Sequence, residues 1–454
     1  MGQYQGYVSV ISSFSFISKK NIFYYFHLTL KYSFLFFLFT LIILSCSPSK
    51  RFPSNNGKEA ESETEKNLGS ANDNNSENNE FSVSDLRVSL EGVIPTESLL
   101  IESPVYLFKD GTKIAHIKSG NVLKIFDDDT RIKIEINDEI LVGNIFSLSS
   151  EANQDIIRIN GKGYRGKIQL YFAGNSINVI NIIKLEDYVK GVLAKEMPIG
   201  KNEENLEALK ALAICVRTYA LQKVKNGNVY FDLYADTRDQ VYGGADAENP
   251  VSNKAVEQTN NMILKFEDNP ALVYYHSTCG GYTENSQNVF TKEHLPYLSG
   301  IKDGSDPYCK ISPRFEWKET YSKELIIERL KAYSLIDNNN YTLEDIIILS
   351  TFDSGRINEL EFKVVDTNGN EKSIVVKGNE IRNVLRTANG KSILWSNMFE
   401  LIVSSDSVEL IGKGFGHGVG LCQWGAISLS KMGWSYEDIL DHYYPGTYQE
   451  SIND

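Results

Sequence analysis

Glu196 stands where a core residue is due. Apolar side chains at Leu185, Tyr188, Val189, Val192 and Leu193 recur at the i, i+3, i+4, i+7 and i+8 positions of one helix face. Glu196, eleven residues on from Leu185, continues that stripe after three turns. A carboxyl at the inner edge of an apolar face is short of solvent, and here it also lies near the negative end of the helix dipole. Both effects disfavour the charged form and raise the pKa. A glutamate still protonated near neutral pH can serve as a general acid. The same placement also suits an ion pair with a core arginine, for which Arg217 is the candidate; spacing alone leaves both readings open.

The elements that must position this carboxyl follow from hydrophobic periodicity. The first helix has Glu186 and Asp187 in its opening turn, where the dipole favours them, and Pro198 stops it. A second helix is expected from about Asn205 to Val224. It carries Leu206, Leu209, Leu212, Val216 and Ala220 on one side and the small residues Ala208, Ala211, Cys215 and Thr218 on the other, so it should pack on two surfaces in the middle of the domain. Upstream, short alternating runs such as Leu86-Arg87-Val88-Ser89-Leu90, Thr130 to Ile136 and Ile168 to Phe172 predict half-buried antiparallel strands. Turn signals at Asp110-Gly111, Asn160-Gly161 and Gly174-Asn175 separate them. The fold class expected is α+β: a mixed domain with central helices and antiparallel strands over residues 156–450, preceded by a β-rich region over 83–155.

The first eighty residues have a different character. Phe34 to Leu44 reads FLFFLFTLIIL, apolar except for Thr40, after Lys31 and before Ile43-Leu44-Ser45-Cys46. As a helix it would span about 16 Å, roughly half a bilayer core, which fits an export signal better than a membrane span. The Ile-Leu-Ser-Cys tetrad resembles a lipobox, so residues 1–46 are expected to be a signal peptide ending in a lipid-modified Cys46. Residues 1–30 make an unusually long lead-in, which points to a later start codon. Residues 47–82 are rich in Ser, Asn and Glu with few large apolar side chains, and read as a disordered tether between a membrane anchor and an extracytoplasmic domain. Across the 454 residues, 46 basic against 59 acidic side chains give a net charge of -13, with no basic stripe for a phosphate backbone, which argues against nucleic acid as a partner.

Several blocks, in order, match a known family. Tyr188-Val189-Lys190-Gly191-Val192, Glu196-Met197-Pro198, Glu207 to Ala213 and Val216-Arg217-Thr218-Tyr219-Ala220 resemble the opening of the SpoIID/LytB family, which comprises stage II sporulation protein D and the amidase enhancers. Tyr275-His276-Ser277-Thr278-Cys279-Gly280-Gly281-Tyr282-Thr283-Glu284 resembles its central motif. Gly414 to Ala426 and His442-Tyr443-Tyr444-Pro445-Gly446-Thr447 are similar to its closing signature. The resemblance implies a peptidoglycan lytic transglycosylase that cuts between N-acetylmuramic acid and N-acetylglucosamine on strands stripped of stem peptides, leaving 1,6-anhydro ends. It places the catalytic acid on Glu196. Some relatives are instead described as enhancers of a separate amidase, so an enhancer or a glycan-binding module is the alternative and an amidase an expected partner. Residues 314–408 resemble the family's internal insertion, with a helix from Ser322 to Ala332, and are expected to shape the groove walls.

Within that frame Arg217, His276, Ser277, Gly280, Gly281, Thr283, His417 and Gln423 are the candidate substrate contacts. Ala271 to Tyr275 reads as a strand leading into His276, and neighbours in a strand face opposite ways, so His276 and Ser277 do not make a serine-hydrolase pair. Gly414, Gly416, Gly418 and Gly420 alternate around His417, which is not the spacing of a dinucleotide loop; a helix from Leu421 to Met432 follows, then another that starts near Ser435. No cofactor is required by the chemistry. Zinc stays open, because members of the family differ in carrying it, and His276 with Cys279 would be its candidates. Cys279 with Cys309 as a disulfide, or free thiols, ranks ahead of zinc, and Cys215 is expected to be buried.

Overall fold

The computed structural model describes residues 85–151, 156–173, 176–226 and 230–452. The leader with Cys46, the tether over 47–82 and the Gly174-Asn175 turn lie outside the described residues.

An α+β architecture is observed. Seven strands form the largest sheet, in the order 233–234, 86–89, 176–183, 167–173, 145–150, 105–109 and 112–117. All its pairings are antiparallel except that of 86–89 with 233–234. Alternation decides which face is buried: Leu86 and Val88, Ile168 and Leu170, Phe146 and Leu148, Val105 and Leu107 all turn inward. The sheet takes strands from both sides of residue 155, where a boundary was expected. A four-stranded antiparallel sheet (98–100, 122–127, 132–136, 139–143) sends Leu99, Leu123, Ile132 and Ile134 into the same core. Asp110-Gly111 and Asn160-Gly161 adopt positive φ at both positions and close two-residue hairpins, as their residue types predict.

Helix α1 spans Leu185–Glu196 and α2 spans Leu206–Asn226. Every residue of α2 from Ala211 to Thr218 is buried, because α1, α3 (Pro250–Gln258), α6 (Gln423–Lys431), α7 (Tyr436–Tyr443) and the strand Met262–Phe266 surround it. Its two-sided sequence pattern therefore marks a central helix. Between these elements Trp317 to Leu410 builds a second core from two three-stranded sheets with α4 (Lys323–Ala332) and α5 (Glu380–Leu385). Ser322 caps α4 by accepting from the Leu325 N–H, and Ser435 with Asp438 forms a capping box on α7.

The expected strand from Ala271 to Tyr275 is shorter than its pattern suggests. Only Tyr275 and His276 pair, in parallel, with Leu421 and Cys422. The flanking residues bond the glycine-rich loop singly instead: Thr278 exchanges backbone hydrogen bonds with Phe415, and the Tyr274 carbonyl accepts from Leu421. A Cβ on Gly420 would collide with that carbonyl, so its residue type sets how closely the two segments approach.

Candidate active site

Glu196 is the last residue of α1, half-buried, with Met197 turning out of the helix behind it. Its Oε1 accepts the backbone N–H of Val241 at 2.6 Å. The loop that brings Val241 there is fixed by side chains. Tyr188 donates its hydroxyl to Gln240 at 3.0 Å, Gln240 donates onward to the Tyr275 hydroxyl at 3.0 Å, and Asp239 accepts from Tyr219 at 2.8 Å. Gln423, the first residue of α6, favours the ionised form of the same carboxyl. Burial raises the Glu196 pKa to about 7, against the opposing pull of the Val241 amide, Gln423 and Lys195. Among the described residues, Asp239 is a second buried carboxylate in the same loop, and its oxygens are engaged by Tyr219 and Lys223. Near neutral pH the Glu196 carboxyl can both give and take a proton.

The rival arrangement, with Glu196 locked by an arginine, is not what forms. Arg217 is fully buried and pairs bidentately with Glu186 through Nε (2.7 Å) and a terminal nitrogen (2.8 Å), while its other terminal nitrogen donates to the Met262 carbonyl. Glu186 comes from the first turn of α1 and Glu196 from its last, so the arginine ties α2 to one end of α1 and leaves the other end free.

A family model for stage II sporulation protein matches residues 173–266, which span α1, α2 and the Val241 loop. A second, described as a domain of unknown function, matches residues 309–420. An uncharacterized protein of Brachyspira hyodysenteriae is 29% identical, over 80% of this chain and 91% of its own length. The amidase enhancer of Bacillus subtilis is 30% identical over 75% of this chain and half of its own length. Stage II sporulation protein D of Bacillus amyloliquefaciens is 31% identical over 58% of this chain and 73% of its own. The chain belongs to the SpoIID/LytB family. That membership makes it a protein of bacterial cell-wall biology.

Of the substrate contacts expected from the SpoIID/LytB resemblance, Gln423 is the one whose side chain acts on the Glu196 carboxyl. Ser277 is half-buried, bonded to the Thr278 hydroxyl at 3.2 Å, and its carbonyl accepts the Trp424 N–H in the first turn of α6. The others need correction. Arg217 has its guanidinium committed to Glu186 and Met262. Thr283 is buried and exchanges hydrogen bonds with the backbone of Ile301. His417 accepts the Val419 N–H on Nδ1 (3.1 Å), so its Nε2 carries the proton and donates to the Tyr275 carbonyl (2.9 Å); both nitrogens hold backbone. The space beside Gly280 and Gly281 is filled by Met398 and Pro307 of this chain, not left for a ligand. His276 is buried with Nδ1 on the Val419 carbonyl, and it is not grouped with any metal-ligating cluster among the described residues. The Cys279 and Cys309 sulfurs lie 3.4 Å apart, unbonded, and Cys215 is buried as expected.

Sequence reasoning missed Gln240 and Val241. Val241 acts through its backbone N–H, which has no side-chain signature. Gln240 ends the polar run Asp236 to Gln240, where nothing in the local sequence sets it apart.

Proposed function

We propose that the protein is a peptidoglycan lytic transglycosylase with Glu196 as its acid and base. What supports this is a carboxyl with its pKa raised to about 7 at the end of α1, held by the Val241 N–H, while the Asp239 carboxylate of the same loop is taken up by Tyr219 and Lys223. Protonated Glu196 gives its proton to the glycosidic oxygen as the bond from that oxygen to C1 of the muramic residue breaks. The resulting carboxylate takes the proton from the C6 hydroxyl, whose oxygen bonds to C1 and closes the anhydro ring. Acid and base are one residue and water is no reactant, whereas a glycosidase ordinarily needs two carboxylates. The substrate class is a glycan strand without stem peptides. Extracytoplasmic action on a tether from lipid-modified Cys46 completes the reading.

A second reading has its own support in the relative named amidase enhancer: the protein would help an amidase without cutting glycan. Incubating the full chain, purified in detergent, with denuded glycan strands and then with intact wall plus a purified amidase separates the two. Strand shortening that disappears in Glu196→Gln supports the lyase. No shortening, with amidase turnover raised equally by wild type and Glu196→Gln, overturns it in favour of the enhancer.

A further inference from the structure

We infer that Cys279, Cys309, Cys422 and Asp303 form a closed structural zinc site. One ligand atom from each lies within 4.8 Å of every other, and all four residues are fully buried. Zinc–sulfur bonds of about 2.3 Å in a tetrahedron place ligand atoms roughly 3.8 Å apart. The Cys279 and Cys309 sulfurs at 3.4 Å lie a few tenths of an ångström inside that spacing, and the 4.8 Å limit on the other pairs asks for a contraction of at most about 1 Å.

The surroundings suit thiolates. The Cys279 N–H points at the Cys422 sulfur (3.2 Å) and the Gly281 N–H at the Cys279 sulfur (3.4 Å), so backbone donors already face two of the ligands. Asp303 is oriented by the Tyr443 hydroxyl on Oδ1 (2.7 Å) and the Cys309 N–H on Oδ2 (3.0 Å). Three thiolates and a carboxylate around a divalent ion leave two negative charges. The buried guanidinium of Arg356, which donates to the Cys279 carbonyl at 2.7 Å, supplies compensating charge beside them. A disulfide would consume two sulfurs and leave Cys422 and Asp303 converging on it without purpose. Soft thiolate donors exclude magnesium and calcium, and four buried protein ligands leave no open position for chemistry, which marks a structural metal.

The site joins three separate segments: the turn after His276, the stretch from Asp303 to Cys309, and the N-terminus of α6. Cys422 is the N-cap of α6, immediately before Gln423, so the metal anchors the start of that helix. This inference stands apart from the glycan-cutting reading, since it concerns only what holds the fold.

The test uses the full chain purified in detergent with neither chelator nor added metal. Elemental mass spectrometry should find one zinc per chain. Exchange of zinc for cobalt(II) should give the visible bands of a tetrahedral ion together with a thiolate charge-transfer band. Cys422→Ala should lower the zinc content at least tenfold, whereas Cys215→Ala, outside the cluster, should retain it. If Cys422→Ala does not fold, the cobalt spectrum of the wild type decides alone. Folded protein that takes up neither zinc nor cobalt, iron or copper in place of zinc, or a Cys279–Cys309 disulfide in the peptide map would each overturn the assignment.

Discussion

The backbone N–H of Val241 meets Oε1 of Glu196 at 2.6 Å, at the end of α1 opposite the Arg217–Glu186 pair. One charge-assisted hydrogen bond favours the carboxylate, yet burial outweighs it and the pKa rises to about 7. The acid form is needed for the first proton transfer, so kcat/KM on denuded glycan should be flat below pH 7 and fall about tenfold per unit above it. A stopped assay across pH 5 to 9 checks this; a profile that keeps rising past pH 8 would assign the acid to another group.

The same raised pKa carries a stability cost with a definite sign. Folded Glu196 holds its proton more tightly than the unfolded chain does, so stability is greatest below the ordinary glutamate pKa of 4.5 and declines as pH rises through about 7. The loss is on the order of 3 kcal/mol once both states are ionised. Glu196→Gln should therefore be about 1–3 kcal/mol more stable than wild type at pH 8.5 and nearly equal to it at pH 4, read from urea midpoints at the two pH values.

Arg217 tests the separation of scaffold from site. Removing one partner of its buried pair leaves a charge without compensation, and Arg217→Met should lower stability by about 3–5 kcal/mol. Calorimetric unfolding of Arg217→Met and Glu186→Gln should show the arginine change as the larger, because Glu186 keeps partial access to water. Equal, small effects would return Arg217 to the list of substrate contacts.

Much of the frame that carries Glu196 was legible in the amino-acid order. The i, i+3, i+4 stripe from Leu185 ends at Glu196, the two-sided pattern of α2 marks the central helix, and Ser322 and Ser435 sit at the caps their residue types favour. These signals are local, and hydrophobic period or capping chemistry writes them within a few residues. What stayed hidden depends on contacts between distant segments. Nothing local says that Arg217 answers Glu186 across 31 residues rather than Glu196, or that Cys279, Cys309 and Cys422 converge. His417 counts as a candidate contact from its place in a glycine-lined turn, whereas those glycines let the loop lie flat against Tyr274 to Cys279 and bury the ring's polar edges there.

His417 offers a spectroscopic check on that correction. Burial and the charges of Arg382 and Arg356 push its pKa down to about 3, and its two backbone contacts fix the Nε2-protonated tautomer. Nitrogen-15 shifts of the imidazole should report that neutral tautomer unchanged from pH 8 to pH 4. A ring that titrates near the ordinary histidine pKa of 6.5 would place it in solvent instead.

The proposal that one carboxyl cuts glycan without water is tested most directly by where solvent oxygen goes. Denuded strands digested by the full chain in water enriched in heavy oxygen should yield anhydromuramic ends that carry none of the label, each lighter than the hydrolytic product by one water, and Glu196→Gln should yield no ends at all. Reducing ends bearing the label, formed by wild type in a Glu196-dependent manner, would contradict the internal attack and make the enzyme a hydrolase.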